Sequence, residues 1–308
     1  MAIAAPTTSA DSGNAAFTVA PISGAVGAEV SGIDLRAPLD TETIEALRRA
    51  FLTHLVLFFR DQPMSDAELV QFGQGFGRLA AIPPHRRLPG GDPHILVVEK
   101  KPEDRLNFGS EWHSDTTYLE SPTLGSILLA KEVPPVGGDT LFANQYLAYE
   151  TLSDGMKAML TGLRAVHTDG RTKRKMQLGY VPPPDAMGED SQFKTAETTH
   201  PVVRTHPETK RQALFVNMIQ TERFDGMTIE ESRPILRYLY AHSTRPEFTC
   251  RFRWQPGSVA FWDNRCLQHW ALNDYPGHRR LMHRVQIIGD KPIPILGDPA
   301  ATPLPGSV

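Results

Sequence analysis

The chain has 308 residues, 40% of them hydrophobic, with a formal net charge of −3 at pH 7. That is enough apolar material for a large core in one domain, and the near-balanced charge offers no footprint for nucleic acid or an anionic membrane. No apolar run approaches membrane-spanning length, and two cysteines, Cys250 and Cys266, are too few for a disulfide framework, so packed thiols in the reducing cytoplasm are expected.

Residues 1–15 have neither a basic nor an apolar block and read as a disordered tail ahead of one domain over 16–295. Two short strands, FTVAPIS and GAEVSGIDL, open that domain. A helix then begins at an Asp40 or Thr41 cap and carries Ile44, Leu47, Phe51 and Leu55 at helical spacing. A buried strand, VLFFR, leads to a second helix capped by Ser65. From Ile95 onward, β-rich runs recur between Gly and Pro turn signals: ILVVEK, TTYL, GSILLA, DTLFAN, HPVVRTH, ALFVN, FTCRFRW, SVAFWD and LMHRVQII. Helices are expected over 144–166 and 228–243. The Pro/Asp/Gly-rich span 170–192 reads as a long loop, either a lid or a solvated insertion, and 296–308 as an extended Pro-rich tail. This pattern predicts a mainly β, α+β fold, a sandwich or barrel with helices packed outside it.

The stretch EWHSDTTY places His113 and Asp115 two residues apart. On a strand, such residues share a face and can converge on one ion, while Ser114 points away. Two imidazoles and one carboxylate hold one face of an iron octahedron and leave the other open. The motif alone is weak, because His167-Thr168-Asp169 repeats it; there Gly170 and the basic run RTKRK suggest a helix end entering a solvated loop. A distant third histidine lies in FWDNRCLQHWALNDYPGHRRLMHRV, whose DYPG turn can join two strands entering one cavity. Alternation along the second strand puts Arg280, Met282 and Arg284 on one face and Leu281, His283 and Val285 on the other. If the arginine face lines the barrel, it binds two anions side by side, and His283 packs outside.

Taken in order, GAEVSGIDL, VLFFRDQ, WHSDTTY, PPVGGDTLFAN, HPVVRTHP, WDNRCLQHWALNDYPGHRRLMHR and GDKP resemble the taurine dioxygenase (TauD/TfdA) family of Fe(II)/2-oxoglutarate-dependent oxygenases, over nearly all of the folded chain. The resemblance implies a double-stranded β-helix, the cupin-like jelly-roll barrel. It implies His113, Asp115 and His269 as the catalytic metal ligands, Thr140 and Arg280 as the 2-oxoglutarate site, and Arg284 as the anchor for a small anionic substrate: a sulfonate, sulfate ester or carboxylate. It also implies O2 as a co-substrate, succinate and CO2 as co-products, and hydroxylation with possible C–S or C–O cleavage.

One departure bears on the substrate. Where taurine enzymes carry histidines after the second helix, this chain has Ala80, Ala81 and Ile82, with His85 three residues beyond, so an anion more apolar than taurine is expected. Among aromatics, Trp112 and Phe215 are candidate substrate contacts, as are Phe108, Tyr118 and Trp262, each of which could equally be core. The alternatives are taurine dioxygenase proper, a zinc hydrolase, whose helical H-E-x-x-H is lacking, and a cupin-like binding or sensing protein. A homo-oligomer, dimer or tetramer, is expected from the family.

Overall fold

The computed structural model describes residues 17–82, 90–169 and 196–295. The expected tails over 1–15 and 296–308, the lid or insertion over 170–192 and His85 all lie outside the described residues.

Strands β1 (Thr18–Pro21) and β2 (Ala28–Ser31) precede α1 (Thr41–His54). Asp40 caps α1 by accepting the Thr43 N–H at 2.7 Å, one of the four donors that a helix start leaves unpaired. After β3 (Val56–Phe59) comes α2 (Asp66–Gln74), entered through a reciprocal capping box between Ser65 and Glu68. Then follow β4 (Leu96–Lys100), β5 (Gly125–Glu132) and β6 (Thr140–Asn144).

The span expected to be helical over 144–166 is instead α3 (Gln145–Glu150), α4 (Asp154–Leu160) and a strand, β7 (Arg164–Thr168). Asn144 and Ser153 each cap a new helix, and Gly162, at φ 82°, turns the chain out of the second. The remaining strands are β8 (Glu197–Pro201), β9 (Val203–Thr205), β10 (Gln212–Leu214) and β11 (Thr221–Phe224) before α5 (Ile229–Ser243), then β12 (Thr249–Phe252), β13 (Val259–Asp263), β14 (Leu267–Ala271), β15 (Arg280–Ile287) and β16 (Ile293–Pro294). The TTYL run, expected as a strand, forms turns.

A seven-stranded sheet in the order β1-β2-β3-β13-β5-β15-β4 faces a three-stranded sheet, β12-β6-β14, as the two walls of a jelly roll. Two further three-stranded sheets, β11-β7-β8 and β10-β9-β16, flank them. Strand alternation divides the core. On β13, Val259 and Phe261 face α1 and α2, where Phe51 stacks on Phe261 at 4.0 Å; Ala260 and Trp262 face the barrel interior. Inside, Phe58 of β3 stacks on Phe252 of β12 at 4.0 Å. Truncating such a fully buried ring costs about 3–5 kcal/mol. No described helix is long and apolar enough to cross a membrane.

Candidate active site

His113 and His269 meet directly across the barrel mouth. Although the segment around His113 is not a strand, His113 forms an isolated antiparallel bridge with His269 of β14, His113 N–H donating to the His269 carbonyl at 3.0 Å and His269 N–H to the His113 carbonyl at 2.8 Å. Directly opposed residues put their side chains on one face, and the rings lie 4.2 Å apart. Asp115 reaches the same point from a turn, so convergence comes from bridge plus turn and not from the expected i, i+2 strand face. Gly109, at φ 77°, lets the preceding loop pass against His113: a Cβ there would lie 2.9 Å from the ring Cε1.

The donor atoms of His113, Asp115 and His269 lie within 4.8 Å of one another, and all three residues are buried. His113 Nε2 and His269 Nε2 stand 3.9 and 4.0 Å from Asp115 Oδ1. His113 Nδ1 is 2.8 Å from the Glu111 carbonyl, which assigns it the proton and leaves the Nε2 lone pair facing the cluster. Burial, then the neighbouring His113, pushes the His269 imidazolium form well out of its usual range, leaving the neutral ring a metal needs. Burial alone would raise the Asp115 carboxyl, but the adjacent Arg284 guanidinium, with the Ser126 hydrogen bond, outweighs it and holds it ionised, below the usual carboxylate range. Two neutral imidazoles and one carboxylate fit a divalent iron with an open face.

Asp115 is fixed by groups that sequence reasoning missed. Ser126 of β5 donates to Asp115 Oδ2 at 2.7 Å, and the Asn264 side chain accepts the Asp115 backbone N–H at 3.0 Å. Asn264 also donates to Ser126 at 3.1 Å and accepts from the Trp262 indole at 3.0 Å. The WDN portion of the WDNRCLQHW motif signalled two of these; nothing local in GSILLA marks Ser126. Arg284 donates from Nη1 to Asp115 Oδ1 at 3.0 Å, with Nε buried and without a hydrogen-bond partner.

Behind the triad, Arg280 is 4% exposed with Nε and Nη2 buried and unpartnered. Thr140, first residue of β6, accepts the Trp254 indole N–H at 2.9 Å, so its own hydroxyl hydrogen is free to point elsewhere. The double glycine before it is required by packing: Gly137 (φ 83°) passes 2.7 Å from Asp274 Oδ1 at the Cβ position, and Gly138 N–H donates to that oxygen at 2.8 Å. One cavity is lined by His113, His269, Thr140, Arg280 and Arg284 together with Val98, Phe108, Leu128, Trp262 and Ala271. Of the residues expected from the sequence it brings together His113, His269, Thr140, Arg280 and Arg284, with Phe108 and Trp262 on its wall and Asp115 bonded to Arg284 beside it. As expected, the arginine face of β15 lines it and His283 turns away, with Nδ1 2.6 Å from Asp66 of α2.

Trp112 and Phe215 are not in that lining. Trp112 packs edge-on to Trp270, and Phe215 lies among His167, His200 and the Arg204 guanidinium. His167, expected in a solvated loop, is fully buried on β7 between β8 and β11, with Nδ1 2.8 Å from the Thr117 hydroxyl. A second buried group, His206, Asp263 and Cys266, also has metal-like spacing. There, however, Arg265 occupies both Asp263 oxygens at 2.8 and 2.6 Å and His206 Nε2 lies 3.1 Å from one, so the carboxylate is already saturated by cation and imidazole.

A jelly roll with such a donor set at one end and a buried guanidinium behind it defines the class of 2-oxoglutarate-dependent non-haem iron dioxygenases. Comparison with known proteins agrees. Residues 18–286 match the family model described as taurine catabolism dioxygenase TauD, TfdA family. An alpha-ketoglutarate-dependent sulfate ester dioxygenase of Pseudomonas putida is 34% identical over 288 residues, 92% of this chain and 93% of that protein. An (S)-phenoxypropionate/alpha-ketoglutarate-dioxygenase of Sphingobium herbicidovorans is 33% identical over 287 residues, 89% and 96%. The crystal structure of a taurine dioxygenase from Burkholderia xenovorans superposes with a TM-score of 0.76 at 35% identity, covering 91% of this chain and 93% of that one. The chain belongs to the TauD/TfdA family, and it is an enzyme that uses Fe(II), 2-oxoglutarate and O2.

Proposed function

We propose that His113, Asp115 and His269 hold the Fe(II), that Thr140 and Arg280 hold the distal carboxylate of 2-oxoglutarate, and that Arg284 receives the head of a sulfate ester bearing an apolar organic group. The observation that carries the substrate reading is Arg284 itself. It is a buried guanidinium with an unpartnered Nε, in a cavity whose lining also includes the apolar side chains of Val98, Phe108, Leu128 and Ala271. Phe108 is 43% exposed, so the apolar wall continues to the surface, where an organic tail would leave. A sulfate ester relative of 34% identity supports the same class, and Ala80, Ala81 and Ile82 stand where histidines would suit taurine.

When bound, Fe(II) with 2-oxoglutarate and O2 supplies the oxidation that hydroxylates substrate and yields succinate and CO2. This chain's residues do the rest. Ser126 and Asn264 hold the Asp115 carboxylate in one orientation, and the Glu111 carbonyl fixes the His113 tautomer. Arg280 and Thr140 orient the co-substrate, and Arg284 places the substrate carbon that bears the ester oxygen. Hydroxylation at that carbon gives a product that collapses to an aldehyde and releases sulfate. The apolar wall excludes water. A cytoplasmic homo-oligomer completes the reading, supported by family membership and by buried, unpaired Cys250 and Cys266.

A second reading, an aryloxy carboxylate, is favoured by the Phe108 ring lying 5.5 Å from the Arg284 guanidinium, where an aromatic tail would stack. The test is turnover under air with Fe(II) and ascorbate against medium-chain alkyl sulfates, aryloxypropionates and taurine, reading succinate and inorganic sulfate together. Equimolar sulfate and succinate from an alkyl sulfate is expected. Release of a phenol without sulfate turnover would establish the second reading, and sulfite from taurine alone would overturn both.

A further inference from the structure

We infer that Lys100 is a second cation for the distal carboxylate of the co-substrate, and hence the residue that makes this site select a 2-oxo diacid over a 2-oxo monoacid. The inference rests on the Arg280 assignment above. In the β4–β15 ladder, Lys100 is the antiparallel partner of Arg280, and Val98 is the partner of Met282. Alternation therefore puts Lys100 on the same face as Val98, which lines the cavity, and beside Arg280, which lines it too. Lys100 is 3% exposed, and its Nζ is buried without a hydrogen-bond partner.

Two buried cations at paired ladder positions repel each other, and no described acid is hydrogen-bonded to either, although Asp139 offsets part of the Arg280 charge through space. Asp139 gives Oδ2 to Arg251 at 2.6 Å and bonds neither cation; Glu99, on the opposite face of β4, pairs with Arg279 at 2.8 Å. The Nζ lies 4.7 Å from the Tyr275 ring centroid. A ring face offsets only part of the cost of burying an ammonium. A carboxylate between Lys100 and Arg280 would satisfy both cations and accept from the Thr140 hydroxyl at once. The cluster is thus strained when empty and relieved by a dianion, whereas a monoacid offers it only a methyl group.

The experiment uses the full chain loaded with Fe(II) under anaerobic conditions, with calorimetric titration of 2-oxoglutarate and of 2-oxovalerate, which lacks the distal carboxylate. Lys100→Met should weaken 2-oxoglutarate by about tenfold or more, the size of one charge-assisted hydrogen bond, and leave 2-oxovalerate within about twofold, so the discrimination ratio collapses. Lys100→Arg should stay within about threefold of wild type on both ligands. Without 2-oxoglutarate, Lys100→Met should melt at or above the wild-type temperature, because a repulsion has been removed. An unchanged ratio, equal weakening of both ligands, or a lower melting temperature with unchanged affinities would overturn the inference and leave Lys100 a structural partner of Tyr275. Lys100→Gln provides a second neutral variant; if neither neutral variant folds, Lys100 holds the fold and the inference also fails. Wild-type protein that binds no 2-oxoglutarate would instead overturn the underlying reading of the site.

Discussion

Ser126→Ala removes one oxygen from a residue that no motif announced, and its effect can be worked from three distances. Ser126 is fully buried and donates to Asp115 Oδ2 at 2.7 Å, a charge-assisted bond to an ionised carboxylate worth about 1.5–3 kcal/mol. Its loss also strips Asn264 Nδ2 of its 3.1 Å acceptor, leaving only a 3.5 Å approach to Asp115. Asp115 would then be held on the Oδ1 side by Arg284 alone and could rotate toward that guanidinium, away from the two imidazoles. Loss of a group that orients a metal ligand typically costs about 10–100-fold in metal affinity, and that range is expected here for Fe(II) or Mn(II) titrated into apo-protein, with a fall in thermal stability of about 2 kcal/mol. Wild-type metal affinity within about twofold, at wild-type stability, would refute the claim that this network sets the carboxylate.

The two arginines should separate cleanly. Arg280→Ala should raise the KM for 2-oxoglutarate by about tenfold or more, whereas Arg284→Ala should weaken the primary substrate and leave uncoupled 2-oxoglutarate decay largely intact; exchanged effects in steady-state assays would reverse the assignment. Gly109→Ala should lower metal affinity by at least about tenfold in the same titration, because a left-handed backbone costs about 1–2 kcal/mol for a residue with a Cβ and that Cβ would meet the His113 ring. Burial pushes His167 down to about 3 and His200 to about 4. The unfolded chain takes up protons below about 6.5 that the folded state refuses, so stability is full above that pH and falls as pH drops toward 4. At pH 5 the loss is up to about 2 kcal/mol per histidine, and His167→Gln should flatten the slope of unfolding free energy between pH 7 and 5; an unaltered slope would contradict it.

Local signals made much of the fold legible. Asp40 and Ser65 cap their helices as side-chain chemistry dictates, and alternation put Arg280 and Arg284 on one face of their strand and His283 on the other, the family resemblance choosing the arginine face as the one that lines the cavity. What failed depended on distant partners. His113 and Asp115 were expected on a strand because i, i+2 spacing suits one, yet the histidine is placed by its bridge to His269 and the aspartate by a turn tied to Asn264. His167 sat before Gly170 and a basic run and so read as solvated; pairing of β7 on both edges, with β8 and β11, buries it instead. Ser126, Trp254 and Lys100 carried no signal, since each meets its neighbour (Asp115, Thr140 and Arg280) only through contacts between segments distant in sequence.

The account's central claim is tested most directly by anaerobic optical titration of the Fe(II) protein with 2-oxoglutarate. The wild type should develop the weak visible charge-transfer band of a chelated 2-oxo acid, His269→Ala should not, and Arg280→Ala should require about tenfold or more 2-oxoglutarate to reach the same amplitude. A wild-type protein that binds iron without the band, or a His269→Ala protein that retains it, would contradict the assignment of His113, Asp115 and His269 as the iron site.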